Sequence, residues 1–440
     1  MTKRSFAPAA VLLAALAWPA AAGAQDAHYW TYGYGPVGQL TEGTIVGGVH
    51  DLSAVYYNPG ALALLDQPRF VINLTSIELA NIDVPDAAGE NLDFEQVVFD
   101  LVPAMVAFKV GGSPGDNDQF AVAMLSRHDS DWDLSYGDFD VTASPTGSAG
   151  FGRFRQRVLE YWVGGTWSHR LGDRLSIGLS PFVGYRAQRS RSALALGQLA
   201  GGAVGSIFVA KENEYNHVRV LAKAGLAWRP GRWELGATVT APGFRVWSNG
   251  KSVWNASAAG IEQAPVLSAS RQDGLQSTYN APWSVAGGAT WRSDGTAVHS
   301  SVEWFSSVET YDILELEPAP VGGSSTTIPL AFRGEAASVF NYGLGVEQRV
   351  GETVVLYGGV ARNQSAHVPE RDTFAAWDLT DVTAGFTLDA GRAKIAFGAG
   401  YAWGSDEVAQ VIAPPGETRP TRPADFSRWT FSLGASFGAR

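Results

Sequence analysis

Very short polar connectors alternate with long ones along most of this chain. From about Arg69 to the C-terminus, strand-like runs are joined in turn by a short connector and a long loop. The short connectors are His169–Arg174, Arg229–Arg232, Arg292–Gly295, Arg349–Glu352 and Asp389–Arg392, with Gly111–Asp118 as a longer first member. Short turns on one side and long loops on the other are typical of an antiparallel barrel in a bacterial outer membrane. The alternation therefore predicts an all-β transmembrane barrel.

The first residues indicate export from the cytoplasm. Lys3 and Arg4 precede the apolar run Ala9–Ala17 and the small residues Ala22–Ala24. This order of a basic, an apolar and a small-residue region is that of a secretory signal peptide. We predict that residues 1–24 are removed by cleavage before Gln25.

Charge and composition exclude several classes of function. The formal net charge is -11, and loss of Lys3 and Arg4 changes it to -11 - 2 = -13. Such an acidic chain is a poor candidate for nucleic-acid binding. There is no cysteine, so neither a disulfide nor a thiolate metal site is available. No later run reaches the roughly 18 apolar residues of a membrane helix, so a bilayer would have to be crossed by strands closed into a barrel.

Fourteen strands are predicted after residue 68, an even number that returns the chain to its starting side. They are Arg69–Leu79, Val98–Val110, Gln119–Ser126, Val158–Arg170, Leu175–Arg186, His217–Trp228, Trp233–Trp247, Pro282–Trp291, Ala297–Ser307, Val339–Gln348, Thr353–Asn363, Thr380–Leu388, Ala393–Trp403 and Arg428–Phe437. The predicted organisation is a signal peptide at 1–24, a plug at 25–68 and a barrel at 69–440.

Side chains alternate with period two in these strands, most clearly near the C-terminus. One face of the last strand carries Trp429, Phe431, Leu433, Ala435 and Phe437, and the other carries small and polar residues. An apolar stripe that ends in aromatic residues is typical of a lipid-facing surface. A soluble β-sandwich also alternates and is the alternative for any single strand. The signal peptide and the unequal loops favour the barrel.

The segment before the first strand does not alternate. It is rich in Gly and aromatic residues, and its length and apolar content favour a place inside the barrel as a plug. Asn58 is a suitable helix N-cap, and Pro59 suits the first helical position. We predict a short helix from Pro59 to about Leu65, which is followed by Asp66 and Pro68.

The phrase Ser53-Ala54-Val55-Tyr56-Tyr57-Asn58-Pro59 resembles the N-terminal hatch of the FadL/TodX-type outer-membrane transporters of hydrophobic compounds. That family usually continues Asn-Pro-Ala-Gly-Leu, whereas this chain reads Gly60-Ala61-Leu62 after Pro59. The resemblance extends to the layout of the mature chain, a hatch followed by 14 strands.

The resemblance implies passive uptake of a hydrophobic molecule, such as a long-chain fatty acid or an aromatic hydrocarbon. Extracellular loops would capture the molecule, the lumen would bind it, and hatch movement would open a lateral or periplasmic path. Site residues expected in the hatch are Ser53, Ala54, Tyr56, Tyr57, Asn58, Pro59 and Gly60. Expected partners are the ligand, outer-membrane lipids and the barrel assembly machinery, with a monomeric chain, no nucleic acid and no cofactor.

Apolar residues in two predicted extracellular loops are candidates for ligand capture. In the loop after the fifth strand, these residues fall at helical spacing. Exposed apolar loop residues suit an apolar partner, although packing against a neighbouring loop is an equal alternative. The candidates are Leu194, Leu196, Leu199, Val204, Ile207 and Phe208, with Trp254 in the next loop.

Basic residues predicted near the lumen are candidates for a ligand head group. Arg186 and Arg189 lie at and beyond the end of the fifth strand, followed by Arg191, and Arg219 and Lys223 share a face of the sixth. The alternative is that interior carboxylates neutralise these cations. The candidate carboxylates are Glu160, Glu303 and Glu347.

The sequence offers little for catalysis, and we predict neither a catalytic nor a metal site. Its seven histidines are scattered without metal-ligand spacing, and no nucleophile-elbow motif occurs. His299, Ser301 and Glu303 share one face of a strand. Three functional hypotheses remain, namely a hatch-gated transporter, a weakly selective porin and an outer-membrane lipid hydrolase.

Overall fold

The structure is a computed structural model. It describes residues 27–65, 68–85, 94–102, 104–113, 115–138, 148–200, 203–260, 265–368, 377–409 and 421–438. The predicted signal peptide and its cleavage site lie outside the described residues.

Antiparallel strands dominate the chain. In chain order they are β1 Pro68–Val84, β2 Phe94–Val102, β3 Met105–Gly111, β4 Asp118–Asp138, β5 Ser148–Arg170, β6 Leu175–Ala200, β7 Ala203–Trp228, β8 Trp233–Thr240, β9 Phe244–Ala259, β10 Val266–Leu275, β11 Ser284–Arg292, β12 Thr296–Phe305, β13 Val308–Asp312, β14 Ala319–Pro320, β15 Thr327–Ile328, β16 Arg333–Ala336, β17 Val339–Val350, β18 Val354–Asn363, β19 Leu379–Ala390, β20 Ala393–Ala409 and β21 Thr421–Gly438.

These strands close into a barrel with 14 wall positions, which confirms the predicted fold. β2 with β3, β8 with β9, and β10 with β11 each fill one position, because β1 pairs with both β2 and β3 and β7 with both β8 and β9. The last strand returns to the first, so that Phe70 lies opposite Phe437. The pairs β13–β16 and β14–β15 belong to one long loop and lie outside the wall.

The outer face of the barrel carries an apolar belt. The predicted stripe on β21 is exposed, with Trp429, Phe431, Leu433 and Phe437 all more than a third accessible. Tryptophans mark both edges of the belt, with Trp167, Trp228 and Trp233 near the short turns and Trp304, Trp403 and Trp429 toward the long loops. A continuous belt of exposed apolar side chains is unfavourable in water and favourable in contact with lipid. The outer face of the wall therefore suits a position in a bilayer.

Several strands run far beyond the predicted ends. β6 and β7 each contain 26 residues and pair from Leu175–Trp228 up to Ala200–Ala203. The apolar residues predicted at helical spacing in a loop are therefore on a β-hairpin, and that part of the prediction is wrong. Beyond the bilayer the backbone hydrogen bonds between strands still form. The outward side chains there are polar, so the alternation of apolar and polar residues can no longer be seen in the sequence.

Two wall positions are broken where single strands were predicted. The run Val98–Val110 divides between Val102 and Met105, and the run Trp233–Trp247 divides between Thr240 and Phe244. In the second break Pro242 has no N–H to donate and Gly243 has a φ of 86°. β8 therefore continues in the wall toward β11, while β9 continues in the hairpin with β10.

The N-terminal segment contains three short helices, α1 Gly35–Gly38, α2 Ala54–Tyr57 and a 3₁₀ helix at Pro59–Leu64. The helix predicted from Pro59 is thus present, in 3₁₀ form. None of the helices in the described part of the chain is long and apolar enough to span a membrane.

Candidate functional site

The N-terminal segment, residues 27–65, packs against the inner face of the barrel wall. Its side chains form the largest apolar cluster, together with inward residues of the strands. Leu40, Ile45 and Val49 are completely buried in this cluster. All seven predicted hatch residues, Ser53, Ala54, Tyr56, Tyr57, Asn58, Pro59 and Gly60, are buried there as well. An apolar segment of this kind fills space that a porin would leave to water.

Asn58 connects the two halves of the segment to the wall. Its Nδ2 donates to the carbonyl oxygens of Val46, at 3.1 Å, and Leu226, at 2.9 Å. Its Oδ1 accepts from the N–H of Gly60 at 3.1 Å, which is the predicted N-cap bond. The side chain is fully buried, so all three bonds form away from solvent.

Wall glycines make room for the segment at these contacts. A Cβ at Gly236 would lie 2.0 Å from the Val46 carbonyl oxygen, and one at Gly288 would lie 2.7 Å from the Gly47 nitrogen. On the next strand, a Cβ at Gly225 would meet the Asn58 Oδ1 at 2.4 Å. The segment and the wall are therefore in direct backbone contact, which only glycine permits.

A cavity lies above the segment in the extracellular half of the lumen, and we call it the lumen cavity. The space between its lining residues is about 630 Å³, part of it open to solvent. Five aromatic side chains line it, Tyr29, Tyr56, Trp162, Tyr279 and Phe305. Its aromatic lining suits a small hydrophobic ligand.

Three cations line the lumen cavity beside aromatic rings, namely Lys223, Arg127 and Arg219. The Nζ of Lys223 lies 4.5 Å from the centroid of the Tyr56 ring. The guanidinium of Arg127 lies 4.8 Å from the Tyr56 ring and 5.1 Å from the Trp162 ring. Lys223 is 3% exposed and has no carboxylate within ion-pair distance among the described residues. It is therefore the head-group candidate best placed to meet an anionic ligand.

Arg127 was not predicted as a site residue. β4 was expected to end at Ser126, but it continues to Asp138 with a register shift between Ser126 and His128. This bulge turns Arg127 inward, where it donates to the Tyr34 hydroxyl at 3.1 Å and the Tyr29 carbonyl at 3.0 Å. The polar residues that follow the predicted end of this strand are the only signal in the sequence for the inward position of Arg127.

Two other head-group candidates share one interior carboxylate. Glu160 accepts from Arg186 at 2.9 Å and from Arg219 at 2.6 Å, and all three side chains are at most 5% exposed. The Trp162 ring nitrogen also donates to Glu160, at 2.7 Å. This arrangement matches the alternative in which an interior carboxylate satisfies the interior cations.

We expect Glu160→Gln to destabilise the barrel strongly. The substitution leaves two buried guanidinium groups without a counter-charge, which costs roughly 3–5 kcal/mol in comparable buried pairs. A large fall in the midpoint of thermal unfolding, followed by heat-dependent gel mobility, would check this. Glu212→Gln is the control, since Glu212 contacts exposed arginines on the outer face. Equal midpoints for the two variants would contradict the role of Glu160.

The remaining predicted residues do not reach the lumen cavity. Arg189 and Arg191 lie on the outer face and contact Glu212, so their assignment near a lumen head group is corrected. Leu194, Ile207 and Trp254 are buried against the long loop that contains Ala319 and Ile328, with Leu196 at the edge of this cluster. Val204 and Phe208 are exposed on the outer face, and the side chain of Leu199 lies outside the described residues.

A second polar cavity joins the segment to the wall around Glu42. Glu42, Glu78, Asp381 and Arg428 line it. Arg428 lies 3.7 Å from Glu78 and 3.6 Å from Asp381. Burial, followed by the charge of Asp381, raises the pKa of the Glu42 carboxyl above its usual value. Glu42 also has a φ of 51°, an uncommon value for a residue with a side chain.

The segment should therefore hold the wall more firmly in acid than in alkali. A pKa raised in the packed state means that the stability from protonated Glu42 is lost as pH rises through that pKa. We expect hydrogen exchange in residues 27–65 to accelerate between about pH 5 and about pH 8 beyond its intrinsic rise, because the pKa of Glu42 is raised from 4.5 to about 8. Glu42→Gln should remove this extra acceleration, and an unchanged pH dependence in the variant would contradict the assignment.

The possible catalytic group on β12 is engaged in other contacts. Both ring nitrogens of His299 are bonded, one to Thr290 at 2.8 Å and one to Glu347 at 2.8 Å. Ser301 accepts from the Val46 N–H at 3.3 Å instead of contacting His299. Glu303 accepts from Trp30 and Ser284. Within the described residues, no group of three or more His, Asp or Glu side chains is placed to hold a metal ion.

The wall is not continuous beside the lumen. β3 pairs with β4 from Gly111–Phe120 up to Met105–Leu125, and the Ser126 N–H then donates to the Ala104 carbonyl at 2.9 Å. Beyond this point β2 pairs with β1, while β4 pairs with β5. Between the described parts of β2 and β4 no ladder forms, so the backbone pairing of the wall is interrupted there.

Several solved structures share this architecture. The barrel matches a FadL homologue from Pseudomonas aeruginosa with a TM-score of 0.61 and 13% identity, over 94% of this chain and 100% of that one. It matches the Pseudomonas putida toluene transporter TodX with a TM-score of 0.62 and 14% identity, over 93% and 99%. This chain has the FadL/TodX-type fold.

A third match with this fold is the CymD monoaromatic hydrocarbon channel, with a TM-score of 0.59 and 13% identity over 93% of this chain and 98% of that one. No family model and no curated protein matches the sequence. The FadL/TodX-type barrel and its apolar belt place the chain in the outer membrane, with the short turns on the periplasmic side.

Proposed function

We propose that this chain is a passive outer-membrane transporter for hydrophobic small molecules, in which residues 27–65 act as a movable hatch. The observation that carries the proposal is a lumen filled by an apolar segment directly below an aromatic cavity. Apolar parts of a ligand gain roughly 25 cal/mol per Å² of surface that is buried against these aromatic and apolar side chains. The names of the similar structures, a toluene transporter and a monoaromatic hydrocarbon channel, agree with this class of cargo.

We propose that cargo enters from the long-loop side and reaches the lumen cavity. The hatch then shifts at the contacts made by Asn58, and the cargo leaves either through the unpaired wall between β2 and β4 or toward the periplasm. The wall break supports the lateral path, because little backbone pairing has to open there. Capture by Leu196, Phe208 and the neighbouring apolar residues stays part of the proposal.

Cargo with an anionic head group would use Lys223. This side chain is buried, faces the lumen cavity and lies over the Tyr56 ring. The ring would pack against the apolar tail of a cargo molecule whose head group binds Lys223. Arg186 and Arg219 contribute less, because Glu160 occupies them. We therefore propose that amphiphilic carboxylates such as fatty acids are the preferred cargo, with neutral aromatic hydrocarbons as a second class.

We expect Lys223→Met to separate these two classes of cargo. A lost charge-assisted hydrogen bond costs about 1.5–3 kcal/mol, so uptake of a long-chain fatty acid should fall roughly tenfold or more. Uptake of toluene should change little, since methionine preserves the apolar stem. Lys251→Met, at the outer-face ion pair with Glu212, is the matched control. Equal losses for both cargoes would rule out a head-group role for Lys223.

A weakly selective porin is the alternative function. Uptake assays in cells that lack their own hydrophobic-compound transporters distinguish the two, with labelled fatty acid, labelled toluene and a small sugar as probes. We expect uptake of the apolar probes only. Sugar uptake at the same rate would favour the porin. We propose no enzymatic role, and we expect a monomer that is inserted by the barrel assembly machinery.

A further inference from the structure

The outer face of the barrel carries a block of four arginines above the apolar belt. On neighbouring strands β5 and β6, Arg155 lies directly opposite Arg191, and Arg157 directly opposite Arg189. All four are outward positions, and the side chains of Arg155, Arg189 and Arg191 are 44% exposed. Like charges placed directly opposite each other destabilise a strand pair. Two such pairs in succession lower the stability of the folded strands, so stability does not account for their presence.

Acidic residues flank the block on both sides. β4 places Asp133 opposite Arg155 and Asp131 opposite Arg157. β7 places Glu212 and Glu214 opposite the two arginines of β6. Each row across the four strands thus reads acid, arginine, arginine, acid. The acids hold the guanidinium groups in place, at 2.8 Å between Arg155 and Asp131.

These ion pairs are exposed to solvent, and the pair between Arg155 and Asp131 is bidentate. Exposed pairs contribute about 0–1 kcal/mol, because water screens them. Arg157 has no ion-pair partner within 4.0 Å among the residues that the structure describes. A guanidinium fork binds a phosphate through two parallel charge-assisted hydrogen bonds, the same geometry in which it binds a carboxylate. The block thus offers hydrogen-bond donors for an anion with several phosphate oxygens.

The height of the block identifies where such an anion would come from. Below it on the same outer face lie Tyr161 and Tyr185, followed by Val163 and Val183, which are 52% and 49% exposed to the lipid layer. Interfacial tyrosines mark the level of lipid head groups. The arginines begin two outward positions beyond them, on the extracellular side. They therefore face the head-group layer of the outer leaflet.

We propose that this block binds the phosphate groups of phosphorylated glycolipids in the outer leaflet. The inference depends on the position of the barrel in the membrane and not on transport of a cargo. One lipid carrying two phosphates could contact both rows, since neighbouring strands lie about 4.8 Å apart and successive outward residues about 6.6 Å apart. Binding would pin the side of the barrel formed by β5 and β6 to the leaflet.

The test compares two variants that lose the same charge. One is R155Q/R157Q/R189Q/R191Q in the block. The control is R174Q/R232Q/R349Q/R392Q, at exposed positions in the short turns on the opposite side. Native mass spectrometry of the purified full-length barrel with bisphosphorylated lipid A would report the dissociation constant. We expect at least roughly tenfold weaker binding for the block variant and no change for the control.

Three further measurements decide the result. Dephosphorylated lipid A should bind the parent protein about as weakly as the block variant binds the intact lipid, and millimolar inorganic phosphate should not displace the lipid. R157Q/R189Q, which alters one row only, provides the comparison if the fourfold variant does not fold. Equal lipid binding by parent, block variant and control would overturn the proposal, as would equal binding of the dephosphorylated lipid. Full displacement by free phosphate would overturn its assignment to a lipid.

Discussion

Gly236→Val is expected to turn this closed barrel into an open pore. A Cβ at residue 236 would lie 2.0 Å from the Val46 carbonyl oxygen and 2.6 Å from the Asn58 Nδ2, so residues 27–65 cannot keep their position. The strand itself accepts the change, because Gly236 has ordinary extended geometry and valine favours strands. Single-channel conductance in planar bilayers should rise roughly tenfold or more, since an emptied lumen of this size admits water.

The neighbouring strand supplies a matched control for this experiment. Gly287 on β11 lies next to Gly288, but a Cβ at Gly287 has no atom within 4 Å, whereas one at Gly288 collides with Val46 and Gly47. Gly288→Val should therefore behave like Gly236→Val, and Gly287→Val like the parent. Heat-dependent gel mobility would establish that all variants form barrels. Parent-like conductance in both inward variants would show that the segment does not close the lumen.

The wall of the barrel could be predicted because lipid imposes a simple rule on each strand. In the membrane-spanning parts of β20 and β21 the outward positions, every second residue, face the bilayer and carry apolar side chains such as Phe397, Trp403 and Phe431. The turns on the periplasmic side could be placed for a similar reason, since Gly231, Gly351 and Gly391 have the positive φ values that tight turns need.

The extracellular half of the barrel could not be read in the same way. Above the bilayer the outward side chains no longer face hydrocarbon, so Arg153, Arg155 and Arg157 replace the apolar stripe on the outer face of β5, while Phe154 between them is buried on the inner face. Backbone pairing continues there, because hydrogen bonds between strands do not depend on side-chain polarity. The sequence therefore marks the place where lipid ends and not the place where the strand ends.

The candidate site combines a local signal with contacts between distant residues. The N-cap at Asn58 is local, and its bond to Gly60 could be predicted from the Asn-Pro pair. The partners of Glu160 could not, because Arg186 and Arg219 are 26 and 59 residues away and meet it only when the barrel closes. Arg127 depends on a bulge, for which a single sequence gives no clear pattern.

Asn58→Ala together with Pro59→Ala is expected to raise both hydrophobic uptake and background conductance. The Asn58 side chain makes three buried hydrogen bonds, one of them to the wall at Leu226. At about 1 kcal/mol each, their loss would destabilise the packed segment by roughly 3 kcal/mol, of which about 1 kcal/mol is direct attachment to the wall. Uptake of labelled fatty acid and single-channel recording would measure the effect.

The outcome distinguishes a gate from a fixed plug. Asn213→Ala is the control, because Asn213 is equally buried but bonds to Ser252 in the extracellular hairpin. Limited proteolysis should cut residues 27–65 faster in the double variant and not in the control, while both form barrels. If the rate of uptake rises together with the rate of cleavage, movement of the segment is coupled to transport. Faster cleavage with unchanged uptake would contradict the proposed hatch, because the segment would be loosened without any effect on the path of the cargo.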